Sequence, residues 1–378
     1  MSGADDALRV AVPLGPRSYE IQVVSDAEPG RLGAFVQGTL GRSWAGRGCR
    51  RALVVTDAHL APYLRPVTAS LEAIGLDVAS ITLPAGEATK CLDRAAELYR
   101  KLADLPADRH TLVVAFGGGV IGDLAGFAAA TFARGLPLFM VPTSLLAQVD
   151  SSVGGKVGIN LPGAKNLVGS FHQPIGVWID TASLDTLPEP EYRSGLAEVV
   201  KYGVILDAAF FDELEAAAPA ILARNPAIVR RMVARSCELK AEVVTKDELE
   251  QTGLRAVLNF GHTIGHAVEA DAGYGGLRHG EAVAIGMVAE SRLAERLGWI
   301  RPDLTARLEA LLTALGLPTA VKSKEADRLI DAMSRDKKNR GGKIRFVLPR
   351  KLGKVELTDA PDEADIRHAL AASSVPAS

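Results

Sequence analysis

Aromatic residues, cysteine and net charge are all scarce in this chain. Phe, Trp and Tyr make up 5% of 378 residues, while hydrophobic residues reach 48%. An apolar chain rich in Ala, Val, Leu and Gly excludes an aromatic-rich β-sandwich and favours α/β or α-rich packing. The length implies two domains of ~150 residues each, with room for loops. Three cysteines, Cys49, Cys91 and Cys237, with no CxxC spacing, exclude a disulfide scaffold. They are expected to be reduced thiols in a cytoplasmic protein. Lys plus Arg is 43 against 45 for Asp plus Glu. That balance leaves no basic surface for broad nucleic-acid binding. An uncharged run of about 18 apolar residues is also missing: Asp123 and Arg134 interrupt the best candidate. The opening "MSGADDALRV" is acidic and lacks the apolar core of a signal peptide. The expectation is a soluble protein with no membrane partner.

What is present has two textures. "YEIQVVSD", "RALVVT", "DVASITLPAGE", "TLVVAFGGG" and "PLFMVPTS" predict strands, rich in Val and Ile and bounded by polar residues or turns. Between them, "LRPVTASLEAIG", "CLDRAAELYRKLADL" and "GDLAGFAAATFARG" carry helical spacing. Strand alternating with helix implies a parallel sheet covered by helices on both sides. From residue 187 to about 335 the periodicity is helical almost throughout. "KIRFVLP" and "GKVELT" predict a small late hairpin, and the final twenty residues a short helix that frays. The expected architecture is a Rossmann-like α/β domain over 1–186 and a mainly helical domain over 187–378.

"AFGGGVIGDLAG" fits G-x-G-x-x-G at Gly117, Gly119 and Gly122, with a strand before it and a helix after it. Glycines let a backbone approach a phosphate, and a helix N-terminus supplies N–H groups and a positive dipole end. The competing reading is a tight strand-to-helix turn that needs glycine for packing alone. The motif lies deep in the domain, and no acidic residue follows ~20 positions later to hold a ribose. A dinucleotide therefore implies a differently ordered sheet.

Seven histidines occur in the chain, and His262, His266 and His279 fall within eighteen residues. His262 and His266 are four apart and share a helix face. The glycine-rich "AGYGG" lets the chain fold back to His279. Catalytic zinc takes three protein ligands and keeps one position open. A carboxylate is a common third ligand, and Glu198 in "RSGLAEVVKYG" is the best one available, with Lys201 one turn away. Satisfied core histidines and a surface Glu198–Lys201 pair are the alternatives. Spacing leaves open whether His266 binds metal or substrate. Asp150, Lys156, Lys165 and Asn166 lie among small residues in "AQVDSSVGGKVGINLPGAKNLVGSFHQP" and resemble an anion pocket; a solvated loop is the plainer reading. Arg134, Lys240, Arg255, Asn259 and "DKKNR" add cationic and amide partners. Metal, dinucleotide and cations together point to a polyhydroxylated, anionic small molecule, its hydroxyls gripped by metal and its phosphate or carboxylate by Lys and Arg.

Six segments in order carry a family resemblance: "GGGVIGDLAGFAAATFARG", "VPTSLLAQVDSSVGGKVGIN", "GAKNLVGSFHQP", "RSGLAEVVKYG", "LRAVLNFGHTIGHAVE" and "HGEAVAIGM". From about residue 50 to 345 the chain resembles the 3-dehydroquinate synthases of the sugar-phosphate cyclase superfamily. The resemblance implies a dehydroquinate synthase-like fold, NAD, a divalent metal (Zn2+ or Co2+) and a homodimer. It implies a carbon–oxygen lyase of the shikimate pathway, leading to chorismate and the aromatic amino acids. The substrate would be 3-deoxy-D-arabino-heptulosonate 7-phosphate, closed to a carbocycle by transient oxidation, β-elimination, reduction and aldol chemistry. Carried over by motif, the metal ligands would be Glu198, His262 and His279. NAD would meet Glu87, Lys90, Gly119, Val120, Ile121, Gly122, Asp123, Thr143, Ser144, Lys156, Lys165, Leu184, Asp185 and Thr186. Asp150, Lys156, Asn166, Lys201, Lys240, Arg255, Asn259, His266 and Lys337 would surround the substrate, and Arg134 would reach a neighbouring subunit's site. Two departures stand out: "TDAHL" has His59 where the family commonly has Asn, and "KDELEQTGLR" is one residue longer than usual. The rivals are another sugar-phosphate cyclase, a metal-dependent polyol dehydrogenase and a catalytically inactive binding protein.

Overall fold

A computed structural model describes residues 7–42, 48–273, 276–320, 326–335 and 344–373. Contacts group the chain into two compact units. The first holds residues 1–187 and 229–249, and the second 188–228 and 250–378. The sequence places one break at 187; contact grouping also assigns 229–249, the body of one long helix, to the first unit.

In the first unit the order is β1 (Leu8–Val12), β2 (Tyr19–Val24), α1 (Arg31–Arg42), β3 (Arg51–Asp57), α2 (Leu64–Glu72), β4 (Asp77–Leu83), α3 (Leu92–Asp104), β5 (Leu112–Gly117), α4 (Gly119–Thr131), β6 (Leu138–Pro142), β7 (Lys156–Leu161), β8 (Ala164–Phe171) and β9 (Gly176–Asp180). Seven strands form one sheet in the order β1-β2-β9-β6-β5-β3-β4. Only the β1–β2 pair is antiparallel. β5 and β6 are buried along their whole length. That is why they appear in sequence as continuous apolar runs and not as alternating ones. Phe35 and Val36 of α1 and Val67 and Leu71 of α2 pack on Val54, Val114, Val141 and Trp178 of the sheet. α3 buries Ala95, Leu98 and Leu102, a stripe at helical spacing.

β7 and β8 form a separate antiparallel hairpin, with Lys156 opposite Phe171 and an irregularity between Ile159 and Leu161. The sequence predicts no strand there. Gly158 lies opposite Gly169, so the side-chain alternation that marks a strand is interrupted on both partners, while backbone pairing survives. β8 is largely exposed, which removes the apolar signal as well.

The remaining helices are α5 (Glu189–Leu206), α6 (Ala208–Leu222), α7 (Pro226–Lys246), α8 (His262–Asp271), α9 (His279–Arg296), α10 (Pro302–Ala314), α11 (Ala326–Arg335) and α12 (Glu363–Ala372). The late hairpin forms as β10 (Phe346–Lys351) and β11 (Lys354–Thr358). α5 and α9 are buried over most of their circumference. The core of the second unit joins Ile264 and Val268 of α8, Ile285, Ala289 and Leu293 of α9, Leu329 and Met333 of α11, Phe346 and Leu348 of β10 and Ile366 and Leu370 of α12. Among the described residues no helix is long and apolar enough to cross a membrane.

Two buried groups of the first unit can be tested directly. Cys237 is fully buried, its Sγ lies 3.3 Å from the Gln148 carbonyl, and burial pushes the thiol up to about 12. Only a thiolate reacts readily, and burial also raises the Cys49 thiol, so a thiol titration of the native protein at pH 8 should find Cys91 first and Cys49 more slowly, with Cys237 appearing after unfolding. Three fast thiols would contradict this. His172 places Nε2 2.8 Å from the Leu136 carbonyl, and burial lowers its pKa below 6.5 against that bond. The unfolded chain then binds the extra proton first, so this group's contribution is present above 6.5 and is lost as pH falls below it. His172→Gln should flatten the acid limb of unfolding free energy against pH, by at most about 1.4 kcal/mol per unit.

Candidate metal centre and glycine-turn site

In the second unit three helices meet through glycine. A Cβ on Gly280, in the first turn of α9, would lie 1.8 Å from the Ser194 carbonyl oxygen of α5. One on Gly286 would lie 1.9 Å from the Gly261 carbonyl oxygen, just before α8. Both clashes are with backbone, which cannot swing aside. The Gly280 N–H donates to the Ser194 hydroxyl at 3.0 Å. Gly261 itself has φ of 80° and a Cβ there would meet Met287 at 2.5 Å. It combines a left-handed turn with close contact, a position that only glycine fills without strain.

This packing brings Glu198 of α5, His262 of α8 and His279 of α9 together. Nε2 of each histidine lies 3.5 Å from Glu198 Oε1. The two rings are 5.3 Å apart, and one ligand atom from each of the three residues falls within 4.8 Å of the others. Glu198 has no exposed surface and pairs with Lys201, also buried. The Glu198–Lys201 pair is therefore interior, not the surface ion pair of the plainer alternative. His262 Nδ1 lies 3.1 Å from the Phe260 carbonyl, and His279 Nδ1 lies 3.7 Å from the Glu269 carboxylate. Metal-binding histidines are held this way, with one nitrogen on a carbonyl or carboxylate and the other turned to the metal. One carboxylate and two imidazoles with both Nε2 atoms facing it match the donor set of a catalytic divalent-metal site. His266 stands beside this group, its ring 5.3 Å from His262 and 6.2 Å from His279.

The electrostatics differ at the two imidazoles. Burial, followed by the Lys201 charge, holds His262 well below the ordinary histidine range. Burial lowers His279 too, but the Glu198 and Glu269 carboxylates outweigh it and raise the ring to about 9. A cation entering here displaces that proton. Glu290 of α9 is fully buried, and burial pushes its carboxyl up to about 8 against the backbone N–H groups that bind it.

Of the other residues selected from sequence, Arg255 is buried, with Nε 3.7 Å from Glu250, and shares a short 3-10 turn, Leu254–Asn259, with Asn259. Lys337 lies outside the described residues. Glu269, Phe260 and Glu290 were not anticipated. Glu269 had a signal, seven residues after His262 and therefore on the same helix face. Glu290 had the same signal as Glu198, a carboxylate in an apolar helical run.

In the first unit the glycine turn joins β5 to α4. β5 lies between β3 and β6, and the chain passes from β3 out to β4 before returning to β5. The strand order thus reverses at the β3/β5 boundary, where open α/β sheets bind ligands beyond their carboxyl ends. Gly118 caps α4 without a side-chain bond, and no acidic residue occupies the first turn. The N–H groups there are suited to an anion. Ser144 and Ser151 hydroxyls flank the turn, 3.4 and 3.2 Å from where Cβ atoms of Gly118 and Gly119 would be. Asp57 ends the adjacent β3, so a carboxylate stands at the switch from an earlier strand and not from one twenty residues later. A cavity of about 220 Å³ lies on the β6/β9 side, lined by Phe116, Val141, Thr143, Trp178 and Ser183 among others, and includes no residue of the glycine turn. These features fit a dinucleotide.

Around the turn, Lys90 is buried and contacts both Asp123 of α4 and the Asn166 side chain of β8. Burial pushes the Asp123 carboxyl up, against the Lys90 charge. Asn160 ties the group: its side chain donates to Glu87 at 2.7 Å and accepts from the Asn166 N–H at 2.9 Å, and its N–H donates to the Lys90 carbonyl at 2.8 Å. Asn166, placed with substrate by resemblance, is here joined to Lys90, placed with cofactor. Lys240 of α7 binds both the carbonyl and the carboxylate of Asp150, each at 2.6 Å, on a π-turn spanning Ala147–Ser151. Lys156 and Lys165 are exposed on the β7–β8 hairpin. Leu184, Asp185 and Thr186 form a 3-10 turn after β9. Arg134 is exposed at φ of 64°, following Ala133 at 48°.

Fold and donor set together place the chain with the sugar-phosphate cyclases. A solved 2-epi-5-epi-valiolone synthase of Streptomyces hygroscopicus with NAD+ and Zn2+ bound superposes with a TM-score of 0.82 at 27% identity, covering 94% of this chain and 96% of that one. A 2-deoxy-scyllo-inosose synthase complexed with carbaglucose-6-phosphate, NAD+ and Co2+ gives 0.83 at 25% identity, covering 97% and 100%. More narrowly, the chain belongs to the 3-dehydroquinate synthase family. Residues 80–194 match the profile of that family's N-terminal part and residues 195–339 its C-terminal part. A 3-dehydroquinate synthase of Rhodopirellula baltica is 44% identical over 97% of this chain and 98% of its own length.

The glycine contacts give a direct test. Gly286→Ala forces a methyl against the Gly261 carbonyl, and overpacking of this kind costs roughly 1–3 kcal/mol. Its denaturation midpoint should fall accordingly; an unchanged midpoint would mean that α8 and α9 are not held at this separation.

Proposed function

We propose that the protein is a 3-dehydroquinate synthase: it converts 3-deoxy-D-arabino-heptulosonate 7-phosphate to 3-dehydroquinate and phosphate, using NAD catalytically and a divalent metal. The observation that carries this reading is the convergence of Glu198, His262 and His279 in a chain 44% identical to a relative of that name over nearly its full length. When bound, the cation supplies Lewis-acid polarisation of a substrate hydroxyl and NAD a reversible hydride acceptor.

The chain's own residues do the remaining work. Glu198, His262 and His279 hold the cation, and Lys201 pairs with the Glu198 carboxylate in a dry site. Glu87, Lys90, residues Gly119 to Asp123 of α4, Thr143, Ser144, Lys165 and the Leu184–Thr186 turn hold the cofactor. Lys156 and Lys240 bind the substrate carboxylate, with Asp150 orienting Lys240. Asn166, Arg255, Asn259, His266, Lys337 and Arg134 of the partner subunit bind substrate, chiefly its phosphate. Oxidation at C5 acidifies C6, phosphate leaves by β-elimination with one of its own oxygens accepting the C6 proton, and re-reduction precedes ring opening and aldol closure. Homodimerisation follows from the role given to Arg134, which projects from a strained, exposed turn. Free thiols at Cys49, Cys91 and Cys237 support a cytoplasmic setting.

Incubation of the purified protein with the heptulosonate phosphate and NAD should release phosphate and 3-dehydroquinate in equal amounts without accumulating NADH. Steady NADH release would indicate a dehydrogenase, and turnover of a different sugar phosphate a different cyclase. Glu198→Gln should lower metal content and turnover by more than the roughly 10–100-fold typical of residues one step removed from a metal. Full retention of both would overturn the ligand assignment.

A further inference from the structure

We propose that Glu290 is a positioning residue for the metal centre: from α9 it caps the N-terminus of α8 and so fixes where His262 stands relative to His279. The first N–H groups of any helix lack intrahelical partners, and buried ones need an acceptor. Ser, Thr, Asp or Asn ordinarily supplies it from the N-cap. Here the N-cap is Gly261, which has no side chain to offer. The acceptor comes instead from 29 residues away. Glu290 Oε2 accepts from the Gly261 N–H at 2.7 Å and Oε1 from the Ile264 N–H at 3.2 Å. The donors bracket His262 without touching its ring.

Position along α9 gives the cap its meaning. Glu290 follows His279 by eleven residues, which at about 100° per residue returns to nearly the same face three turns on. One rigid helix therefore carries a ligand near its start and, further along the same face, the clamp for the helix that carries another ligand. The close contact of Gly286 with Gly261 lies between them. Two backbone N–H donors and a cap residue without a side chain call for a pair of acceptor oxygens on one arm, which the Glu290 carboxyl supplies. A carboxamide would present its NH2 group to donors.

This inference rests on the metal reading above, and cobalt binding separates the two. The full-length chain, stripped with a chelator and reloaded with Co2+ alone, is titrated by its visible absorption, with far-ultraviolet circular dichroism and thermal unfolding in parallel. Glu290→Gln should keep its helix content, bind Co2+ roughly 10–100-fold more weakly and show an altered cobalt spectrum. Glu290→Asp, which keeps the carboxyl on a shorter arm, should recover part of the affinity. A Gln variant that melts earlier but binds Co2+ with wild-type affinity and spectrum overturns the proposal, since its role would then be structural only. If the Gln variant does not fold, Glu290→Asp decides: weaker binding supports the proposal, and wild-type affinity and spectrum overturn it. Equal cobalt binding by wild type and Glu198→Gln would instead remove the metal reading itself.

Discussion

A carboxylate with no access to water is the constraint on which the second unit depends. Isolated, the Glu198 charge would cost several kcal/mol to bury, and even a paired charge gains little unless its geometry is good. Lys201 and the two imidazoles supply that geometry. They can do so only because α5, α8 and α9 approach closely enough for side chains of one turn to share a point. That approach requires glycine at 261, 280 and 286, where a methyl would meet backbone. A site of this kind stores an unfavourable charge arrangement that a cation relieves, so affinity for metal and rigidity of the scaffold are linked.

In the first unit the cations around the glycine turn are already paired. Lys90 is occupied by Asp123 and Asn166, and Lys240 by Asp150. Asn160 connects the turn after β4 with the hairpin of β7 and β8, so Glu87, Lys90 and Asn166 form one structural group. The consecutive left-handed residues Ala133 and Arg134 are strained, and strain of this kind gathers at functional positions.

Much of this was legible in the linear pattern. The buried strands β3, β5 and β6 stand out because a short apolar run bounded by turns is what a strand covered on both faces requires. α3 stands out because its stripe repeats at helical spacing. The glycine turn was legible through its context, and the three histidines through their clustering. Elements without such a signal were missed. The β7–β8 hairpin has glycines facing each other in register, and no periodicity marks it. His266 could not be distinguished from a ligand, because residues four apart on a helix look alike until the direction of their rings is known. Glu198 and Lys201 had the spacing of an ordinary surface pair, and spacing does not encode burial.

The sequence by itself determined most element types, the approximate change of texture at residue 187, the strand-to-helix glycine turn and the inventory of candidate metal donors. These are local properties, set by residue volume, polarity and period. Tertiary structure alone decided which donors converge, that residues 229–249 join the first unit, and that the cap of α8 comes from α9. Each of these is a contact between segments far apart in the chain, and such contacts are fixed by packing, which no local period records.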